Sequence, residues 1–268
     1  MARRLLVDRY DGWLIDLDGV VYVGDTALPG AAAAIAGLRS RGHPVVFVTN
    51  DPRSCRETYA EKLTGLGIPA TEEDVMTSAS ATADVVRAEG LGGATVFVIG
   101  SGSLKAEMRR VGCEVLEGRP GLDADLVVVG GHGGFDYREL AIGSMAVRRG
   151  ARLYATNRDA TFPTHDGPAP ATGAIVAAVE VGSGAVATAV GKPEPYLFER
   201  ARARMPSAAN VAVVGDRVDS DVLGGVRAGF ATVLVRDPAR PDADPGRADV
   251  VPDHVVGSLA DLLVPGAA

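Results

Sequence analysis

The sequence predicts an α/β protein: a Rossmann-like, doubly wound parallel sheet core with an inserted second α/β domain. Three observations lead to this prediction. Short runs rich in Val alternate with longer segments of helical periodicity, and the runs are continuously apolar rather than alternating in polarity. Continuous apolar runs are typical of strands that helices cover on both faces, as in parallel sheets. The third observation, a change in the residues that follow the strands, predicts the insertion.

The predicted strands are short and bounded by Gly, Asp, Asn or Pro. They lie at 13–15, 45–48, 95–99, 126–129, 153–155, 211–214 and 232–235. The segments between them predict helices at 31–41, 54–66, 78–89, 103–111, 136–149, 173–182, 195–204 and 219–228. The stretch 164–173 is rich in Gly, Pro and Ala, and we expect a loop there.

The residues that follow the strands divide the chain into two predicted domains. Acidic and polar residues follow the strands that end near 15, 48 and 214, whereas glycines, His or Asn follow those that end near 99, 129 and 155. In parallel sheets, functional residues lie at the carboxyl ends of the strands. We therefore predict a catalytic core formed by 1–78 and 186–268, and an inserted α/β domain at 79–185.

Composition narrows the class of function. The 268 residues carry a formal net charge of −7 and show no Lys/Arg cluster of the kind found in nucleic-acid binders. No stretch approaches the roughly 20 apolar residues of a membrane helix, and the N-terminal apolar run stops at Asp8. Cys55 and Cys113 stand in no paired motif, which favours reduced thiols. We expect a cytoplasmic protein that binds neither nucleic acid nor membrane.

Two carboxylates directly after the first predicted strand are the sharpest chemical signal. Asp16 and Asp18 are one residue apart, and Gly19 follows them. A buried charge needs a partner or a metal, and Mg²⁺ takes oxygen ligands. One Asp can attack phosphorus to form an aspartyl-phosphate, while the other protonates the leaving oxygen and then activates water. Taken alone, an Asp-x-Asp-Gly sequence is more often a turn or a helix cap.

A second acidic strand end supplies further negative charge. Asp216 follows a predicted strand and Gly215, so its carboxylate would reach the same edge of the sheet. Asp221 lies near the first turn of the next helix, where it could hold a metal-bound water or orient its neighbours. Asp219, between them, fits a helix cap. Each acid alone fits a cap, but two acidic strand ends in one sheet favour a shared cation.

Three other residues have the chemistry to hold a phosphate group. Thr49 ends a strand, and its hydroxyl and the Asn50 amide can donate to phosphate oxygens beside the start of a helix. Lys192 follows an apolar run and precedes Pro193, which favours a fixed rather than a solvated ammonium. A nucleotide-triphosphate P-loop is excluded, because Pro193 stands where that motif needs Ser or Thr.

In order along the chain, these segments resemble the signature of the haloacid dehalogenase superfamily of phosphatases. The segments are Asp16-Leu17-Asp18-Gly19-Val20, Thr49-Asn50, Lys192 in Gly-Lys-Pro, and Gly215-Asp216-Arg217 with Asp221. The chain is similar more narrowly to the large-cap branch with 4-nitrophenylphosphatases, phosphoglycolate phosphatases and glycerol-phosphate phosphatases. That narrower resemblance depends on Val21-Tyr22-Val23-Gly24, Leu28-Pro29-Gly30, Phe135-Asp136-Tyr137, Ala155-Thr156-Asn157-Arg158-Asp159 and Gly191-Lys192-Pro193-Glu194-Pro195.

The resemblance implies a Mg²⁺-dependent phosphatase that acts on a small phosphorylated metabolite. It implies that Asp16 is the nucleophile and Asp18 the general acid and base. The implied metal ligands are Asp16, the backbone carbonyl of Asp18, and Asp216, with Asp221 nearby. The implied phosphate ligands are Thr49, Asn50 and Lys192.

The resemblance further implies that the inserted domain is a cap that closes over the substrate, with His132, Asn157 and Asp159 as candidate substrate contacts. Two positions depart from the family's pattern. Asp51 stands where relatives commonly have a second Asn, and it either caps the next helix or shifts substrate choice. Gly131 and His132 stand where relatives often carry an acidic or basic pair. Caps of this branch often take part in dimer contacts, so a homodimer is compatible with the resemblance.

Two other functions are compatible with parts of this pattern. A phosphotransferase or mutase would form the same aspartyl-phosphate and pass the phosphoryl group to a second hydroxyl. A catalytically silent ligand-binding module would lack at least one of Asp16, Asp18, Lys192 and Asp216, and all of them are present. We therefore predict a hydrolase and keep a phosphotransferase or mutase, and a catalytically silent ligand-binding module, as the alternatives.

Overall fold

The structure of the chain is a computed structural model that describes residues 5–164, 166–239 and 248–264. Its strands, numbered in chain order, are β1 (Gly12–Asp16), β2 (Tyr22–Val23), β3 (Thr26–Ala27), β4 (Val45–Thr49), β5 (Val75–Thr77), β6 (Thr95–Ile99), β7 (Glu114–Leu116), β8 (Leu126–Val129), β9 (Arg152–Ala155), β10 (Thr161–Thr164), β11 (Gly167–Pro170), β12 (Thr188–Ala189), β13 (Val211–Gly215), β14 (Ala231–Val235) and β15 (His254–Val256).

The α-helices lie in the segments whose periodicity predicts them. They are α1 (Ala31–Ser40), α2 (Arg56–Gly65), α3 (Ser78–Ala88), α4 (Gly102–Arg110), α5 (Tyr137–Arg148), α6 (Thr172–Ser183), α7 (Pro195–Arg202) and α8 (Leu223–Arg227). A π-helical turn, Val218–Val222, leads into α8. In the described part of the chain, no helix has both the length and the apolar character needed to cross a membrane.

The chain divides into two units. The first unit comprises Met1–Thr49, Arg56–Met76 and Lys192–Ala268, and the second comprises Asn50–Cys55 and Thr77–Gly191. The short piece Asn50–Cys55, which we call the linking segment, belongs to the second unit although it lies between two pieces of the first. The sequence analysis assigns this segment to the catalytic core. The predicted domain boundaries at 78/79 and 185/186 stay predictions.

The first unit is built on a six-stranded sheet in the order β15-β14-β13-β1-β4-β5. The pairs that β1 makes with β13 and with β4 are parallel, as are β13 with β14 and β14 with β15. Every residue of β1, β4 and β13 is buried, as expected for central strands covered on both faces. The chain moves from β1 toward β4 and β5 and later returns to β13 on the other side, so the sheet is doubly wound.

The second unit contains a smaller sheet in the order β12-β9-β8-β6-β7, with every pair parallel. Its core is separate from that of the first unit and includes Phe97, Val127 and Val129 of the central strands and Val176 of α6. The predicted α/β fold with a parallel sheet core and an inserted α/β unit is confirmed.

The loop predicted at 164–173 is wrong for the residues of that stretch that the structure describes; residue 165 lies outside them. β10 and β11 form an antiparallel hairpin, and α6 begins at Thr172. Pro168 and Pro170 are compatible with this hairpin, because in a two-stranded ribbon each strand has an edge where no ladder N–H is required.

Candidate active site

Residues from the ends of three neighbouring strands define the candidate site in the first unit. β1 ends at Asp16, β4 ends at Thr49, and Asp216 directly follows the end of β13. β1 lies between the other two strands, with Ile15 paired with Val214 and Asp16 paired with Val48. Because all three strands are parallel, their carboxyl ends meet at the same edge of the sheet, as the sequence predicts.

Asp16, Asp216 and Asp221 form a carboxylate cluster at this edge. One carboxylate oxygen from each lies within 4.8 Å of the others. Asp16 and Asp221 are buried, and Asp216 is partly exposed. Oxygen donors at this spacing suit a hard divalent cation such as Mg²⁺. The structure thus brings together three of the predicted metal ligands.

Lys192 connects two members of the carboxylate cluster. Its Nζ donates to Asp16 Oδ1 at 2.6 Å and to Asp221 Oδ1 at 2.8 Å, and its side chain is 4% exposed. Burial alone disfavours the ammonium form, but the charges and hydrogen bonds of the two carboxylates outweigh it and raise the pKa of Lys192. The ammonium form of Lys192 is therefore favoured beside Asp16.

Burial and the neighbouring charges act in opposite directions on the pKa of Asp16. Burial raises its pKa well above the usual range, the Lys192 ammonium acts to lower it, and the negative charges of Asp221 and Asp216 raise it further. Neighbouring positive charge therefore favours the ionised form of this carboxylate.

Two glycines make room for the cluster. A Cβ on Gly19 would lie 2.0 Å from Asp216 Oδ2, and the φ of Gly19 is +82°. A Cβ on Gly215 would lie 2.1 Å from both Cβ and Cγ of Asp221. Side chains at either position would displace a carboxylate of the cluster. The sequence analysis gave no such role to these glycines, although each is a direct neighbour of a predicted acid.

The π-helical turn after β13 orients Asp221. Its Oδ2 accepts hydrogen bonds from the backbone N–H of Arg217 and from Ser220 Oγ, both at 3.2 Å. Asp219, in the same turn, points to a different partner: its carboxylate pairs with the exposed Arg217 guanidinium, with the shorter contact at 2.8 Å. Asp221 therefore belongs to the cluster, and Asp219 forms a surface ion pair.

Two further predicted site residues lie at this edge of the sheet. Thr49 is the last residue of β4, and Asp18 lies two residues after the end of β1. Asp18 is exposed, in the turn after β1 that the hydrogen bond from Val21 N–H to the Leu17 carbonyl closes at 2.9 Å. Its carboxylate is not part of the three-carboxylate group, and its predicted metal contact, through the backbone carbonyl, stays a prediction. Thr49 is buried at the end of β4.

The remaining predicted site residues belong to the second unit. Asn50 Nδ2 donates to Asp159 Oδ2 at 3.0 Å, and Asn157 Nδ2 donates to the Asn50 carbonyl at 2.7 Å. His132, in the loop after β8, contacts Glu139 Oε2 through Nε2 at 2.9 Å. The structure thus brings Asn50, Asn157 and Asp159 together, and it pairs His132 with Glu139.

Asp51 forms an ion pair rather than a helix cap. Its Oδ1 accepts from Arg53 N at 2.9 Å, and both its oxygens accept from the Arg53 guanidinium. The guanidinium carbon also lies 4.6 Å from the centre of the Phe162 ring in β10. Because α2 begins only at Arg56, Asp51 does not cap that helix. The sequence analysis did not predict the pairing of Asp51 with Arg53.

Comparison with known proteins gives matches to two family models. One, described as haloacid dehalogenase-like hydrolase, matches residues 13–114, and the other, described as HAD-hydrolase-like, matches residues 189–262. The first match contains Asp16, Asp18 and Thr49, and the second contains Lys192 and Asp216. Together they include both halves of the first unit's site.

Relatives match over most of their length. A 5'-nucleotidase of Bacillus subtilis (strain 168) is 36% identical over 84% of this chain and 87% of its own. An acid sugar phosphatase of Staphylococcus haemolyticus is 36% identical over 85% of each chain. The crystal structure of a glycerol phosphate phosphatase from Mycobacterium tuberculosis in complex with magnesium superposes with a TM-score of 0.86. It is 32% identical and covers 97% of this chain and 78% of its own.

Proposed function

The chain belongs to the haloacid dehalogenase-like hydrolase family and is a phosphatase, and from this premise we propose that it hydrolyses small phosphomonoesters with Asp16 as the nucleophile and Mg²⁺ as the cofactor. The observation that carries the proposal is the group of three carboxylates at the carboxyl ends of β1 and β13, two of which accept hydrogen bonds from the buried Lys192. Three carboxylates at this spacing exceed the single positive charge of Lys192, which favours a bound cation.

The donor set of the site fits Mg²⁺. With its carboxylates ionised, the cluster carries three negative charges against the single positive charge of Lys192, and a divalent cation would balance the remainder. Asp16, Asp216 and the backbone carbonyl of Asp18 would hold the ion, with Asp221 beside them. When bound, Mg²⁺ would neutralise phosphate charge and favour the ionised form of Asp16.

The chain's own residues would perform the two chemical steps. In the first, an Asp16 carboxylate oxygen attacks phosphorus, the bond to the leaving oxygen breaks, and Asp18 gives that oxygen its proton. In the second, Asp18 takes a proton from water while the water oxygen attacks the phosphorus of the aspartyl-phosphate. The bond to Asp16 then breaks, which releases inorganic phosphate and restores both side chains. The exposure of Asp18 supports a role that exchanges protons with substrate and water.

Thr49 and Lys192 are the residues that we assign to the phosphate group. The buried Thr49 hydroxyl lies at the end of β4, next to the strand that ends in Asp16, and the ammonium of Lys192 already contacts Asp16. Positive charge and fixed donors at the transferring phosphoryl group are the main source of catalysis in this chemistry. Asn50 stays a predicted phosphate ligand, although its side-chain amide donates to Asp159.

The proposed substrates are small. The relatives are named for nucleotides, sugar phosphates and glycerol phosphate, and we take the shared chemistry, a phosphomonoester of a small hydroxyl compound, as the class for this chain. We assign the second unit as the cap that shields the reaction from bulk water. A cytoplasmic location is part of the same proposal, supported by Cys55 and Cys113, which are not joined by a disulfide.

The proposal is tested by phosphate release from p-nitrophenyl phosphate, glycerol phosphate, a hexose phosphate and a nucleoside monophosphate, with Mg²⁺ or with EDTA. We expect Mg²⁺-dependent turnover that Asp16→Asn reduces at least about 1,000-fold, because the amide is no nucleophile. Asp219→Asn is the matched control, since it makes the same chemical change in the exposed pair with Arg217. Turnover by Asp16→Asn within tenfold of the native enzyme would remove Asp16 as the nucleophile.

A further inference from the structure

The linking segment is fastened to the rest of the second unit by a set of hydrogen bonds centred on Asn50. The Asn50 carbonyl accepts from Asn157 Nδ2 at 2.7 Å and from Ser78 Oγ at 2.5 Å. The Asn50 side chain donates to both carboxylate oxygens of Asp159, at 3.0 and 3.3 Å. We call Asn50, Ser78, Asn157 and Asp159 the Asn50 cluster.

Both polar atoms of the Asn157 carboxamide form hydrogen bonds within this cluster. While Nδ2 donates to Asn50, Oδ1 accepts from the backbone N–H of Asp159 at 3.0 Å. Only 2% of Asn157 is exposed. A buried carboxamide that already uses its nitrogen and its oxygen within the protein is a poor candidate for direct contact with a substrate.

Two glycines permit the close packing of the Asn50 cluster. A Cβ on Gly191 would lie 2.4 Å from the Thr156 carbonyl oxygen and 2.6 Å from Asn50 Oδ1. A Cβ on Gly173 would lie 2.5 Å from the Arg158 carbonyl oxygen, and its N–H donates to the Asp159 carbonyl at 2.8 Å. The loop that carries Asn157 and Asp159 is therefore closely packed against Gly191 and Gly173.

The Asn50 cluster lies where the chain passes between the two units. The chain passes between the two units at 49/50, 76/77 and 191/192, among other places. Asn50 directly follows Thr49, Ser78 is the second residue after the passage at 76/77, and Gly191 directly precedes Lys192. The cluster, together with Gly191, which packs against Asn50, thus contains the second-unit ends of three connections. Two of these connections continue directly into Thr49 and Lys192, the residues that we assign to the phosphate group.

We infer that Asn157 and Asp159 are positioning residues that hold Asn50, and through the chain the adjoining phosphate ligands Thr49 and Lys192, rather than contacts for the substrate's leaving group. This inference rests on the proposed function, because the phosphate role of Thr49 and Lys192 is part of it. It replaces the sequence-based expectation that Asn157 and Asp159 touch the substrate.

The two roles predict different kinetics. A residue that touches the leaving group changes the order of preference among esters and leaves the affinity for inorganic phosphate unaltered. A residue that positions the phosphate ligands changes the affinity for every phosphate compound by one factor, whatever the leaving group. Inorganic phosphate, which has no leaving group, therefore separates the two roles as a competitive inhibitor.

The experiment uses the full chain with Asp159→Ala, the conservative Asp159→Asn and the control Asp123→Asn, whose carboxylate forms an exposed pair with Arg149 in the same unit. We expect Asp159→Ala to raise the inhibition constant of phosphate, and KM for every ester, by a common factor of about five to ten, as for the loss of one hydrogen bond. Asp159→Asn keeps an oxygen acceptor for the Asn50 amide, so we expect it to stay within about twofold of the native enzyme.

Hydrogen–deuterium exchange supplies a readout that needs no turnover. Peptides that contain residues 50–55 should exchange faster in Asp159→Ala and remain protected in Asp159→Asn and Asp123→Asn. If Asp159→Ala does not fold, Asp159→Ser takes its place with the same expectations.

An altered ester ranking with an unchanged phosphate inhibition constant, or unchanged exchange at 50–55, would overturn the inference. Failure of the proposed function has a different signature: the native enzyme would release no phosphate from any ester, while the exchange measurement would still report on the Asn50 cluster.

Discussion

Asp216→Asn should be more stable than the native chain in the absence of Mg²⁺ and less stable than the native chain in its presence. Asp216 is one of three carboxylates whose oxygens lie within 4.8 Å of one another, and its negative charge is among the causes that raise the pKa of Asp16. Two ionised groups at 4.8 Å repel each other by about 3 kcal/mol at an effective dielectric constant of about 20. Asp216 is partly exposed, so solvent reduces the expected gain to about 1–2 kcal/mol.

Mg²⁺ should reverse this order. A ligand that binds only the folded state stabilises it by about 2.7 kcal/mol at 100 times its dissociation constant. The native chain should receive this stabilisation, and Asp216→Asn should lose most of it because one charged oxygen ligand is gone. The free energy of unfolding of both proteins would be measured by urea titration in EDTA and in excess Mg²⁺.

Asp219→Asn is the control for this experiment, because its exposed pair with Arg217 lies in the same turn but outside the carboxylate cluster. It should change stability by less than about 0.5 kcal/mol and keep the native response to Mg²⁺. Two results would refute the reasoning: lower stability of Asp216→Asn in EDTA, or equal stabilisation of Asp216→Asn and the native chain by Mg²⁺.

Two further predictions concern a glycine of the site and the acid stability of the second unit. Gly215→Ala should lower kcat/KM at least about tenfold, because the new Cβ would overlap Asp221. Gly102→Ala is the control and should leave kcat/KM unchanged, because nothing lies within 4 Å of its new Cβ. Equal activity of the two variants would contradict this prediction. Hydrogen bonds from the Thr95 hydroxyl and N–H lower the pKa of Asp125. The ionised Asp125 carboxylate therefore contributes fully to the stability of the fold above pH about 4, and this contribution disappears as the pH falls through the lowered pKa. Urea titrations of Asp125→Asn from pH 3 to 7 should therefore show a deficit that shrinks on acidification, and a deficit that grows would refute the assignment.

The parts of the fold that could be predicted from the sequence are those with a local signal. β1, β4, β8 and β13 are continuous apolar runs, and each is a buried interior strand of its sheet. Because parallel strands end at a common edge, the polar residues after β1 and β13 could be placed together without any structure. Helix periodicity was equally informative, and the eight predicted helices lie where expected to within a few residues at each end.

Edge elements escaped prediction because their residues face both protein and solvent. β7, β12 and β15 have only two or three residues each and mixed burial. The hairpin of β10 and β11 was taken for a loop because its Gly and Pro content is typical of turns. Short strands of this kind are fixed by their neighbours in the fold and carry little periodicity of their own.

Partners distant in sequence set the chemistry of individual site residues. Lys192 contacts Asp16 across 176 positions, and Asn50 contacts Asp159 across 109. No spacing rule connects such pairs, so the sequence could nominate Asn50 as a phosphate ligand but could not reveal that its side chain is held by Asp159. The family resemblance supplied the roles of Asp16 and Lys192, and the structure supplied their contact.

The central claim is that phosphate passes through a covalent bond to Asp16. The most direct measurement is rapid acid quenching during turnover, reduction of the acyl-phosphate with borohydride, and identification of the modified peptide by mass spectrometry. We predict homoserine at position 16, formed only when substrate and Mg²⁺ are both present, and none at position 18. Phosphate release at the native rate with position 18 or another residue modified instead of Asp16 would contradict the account.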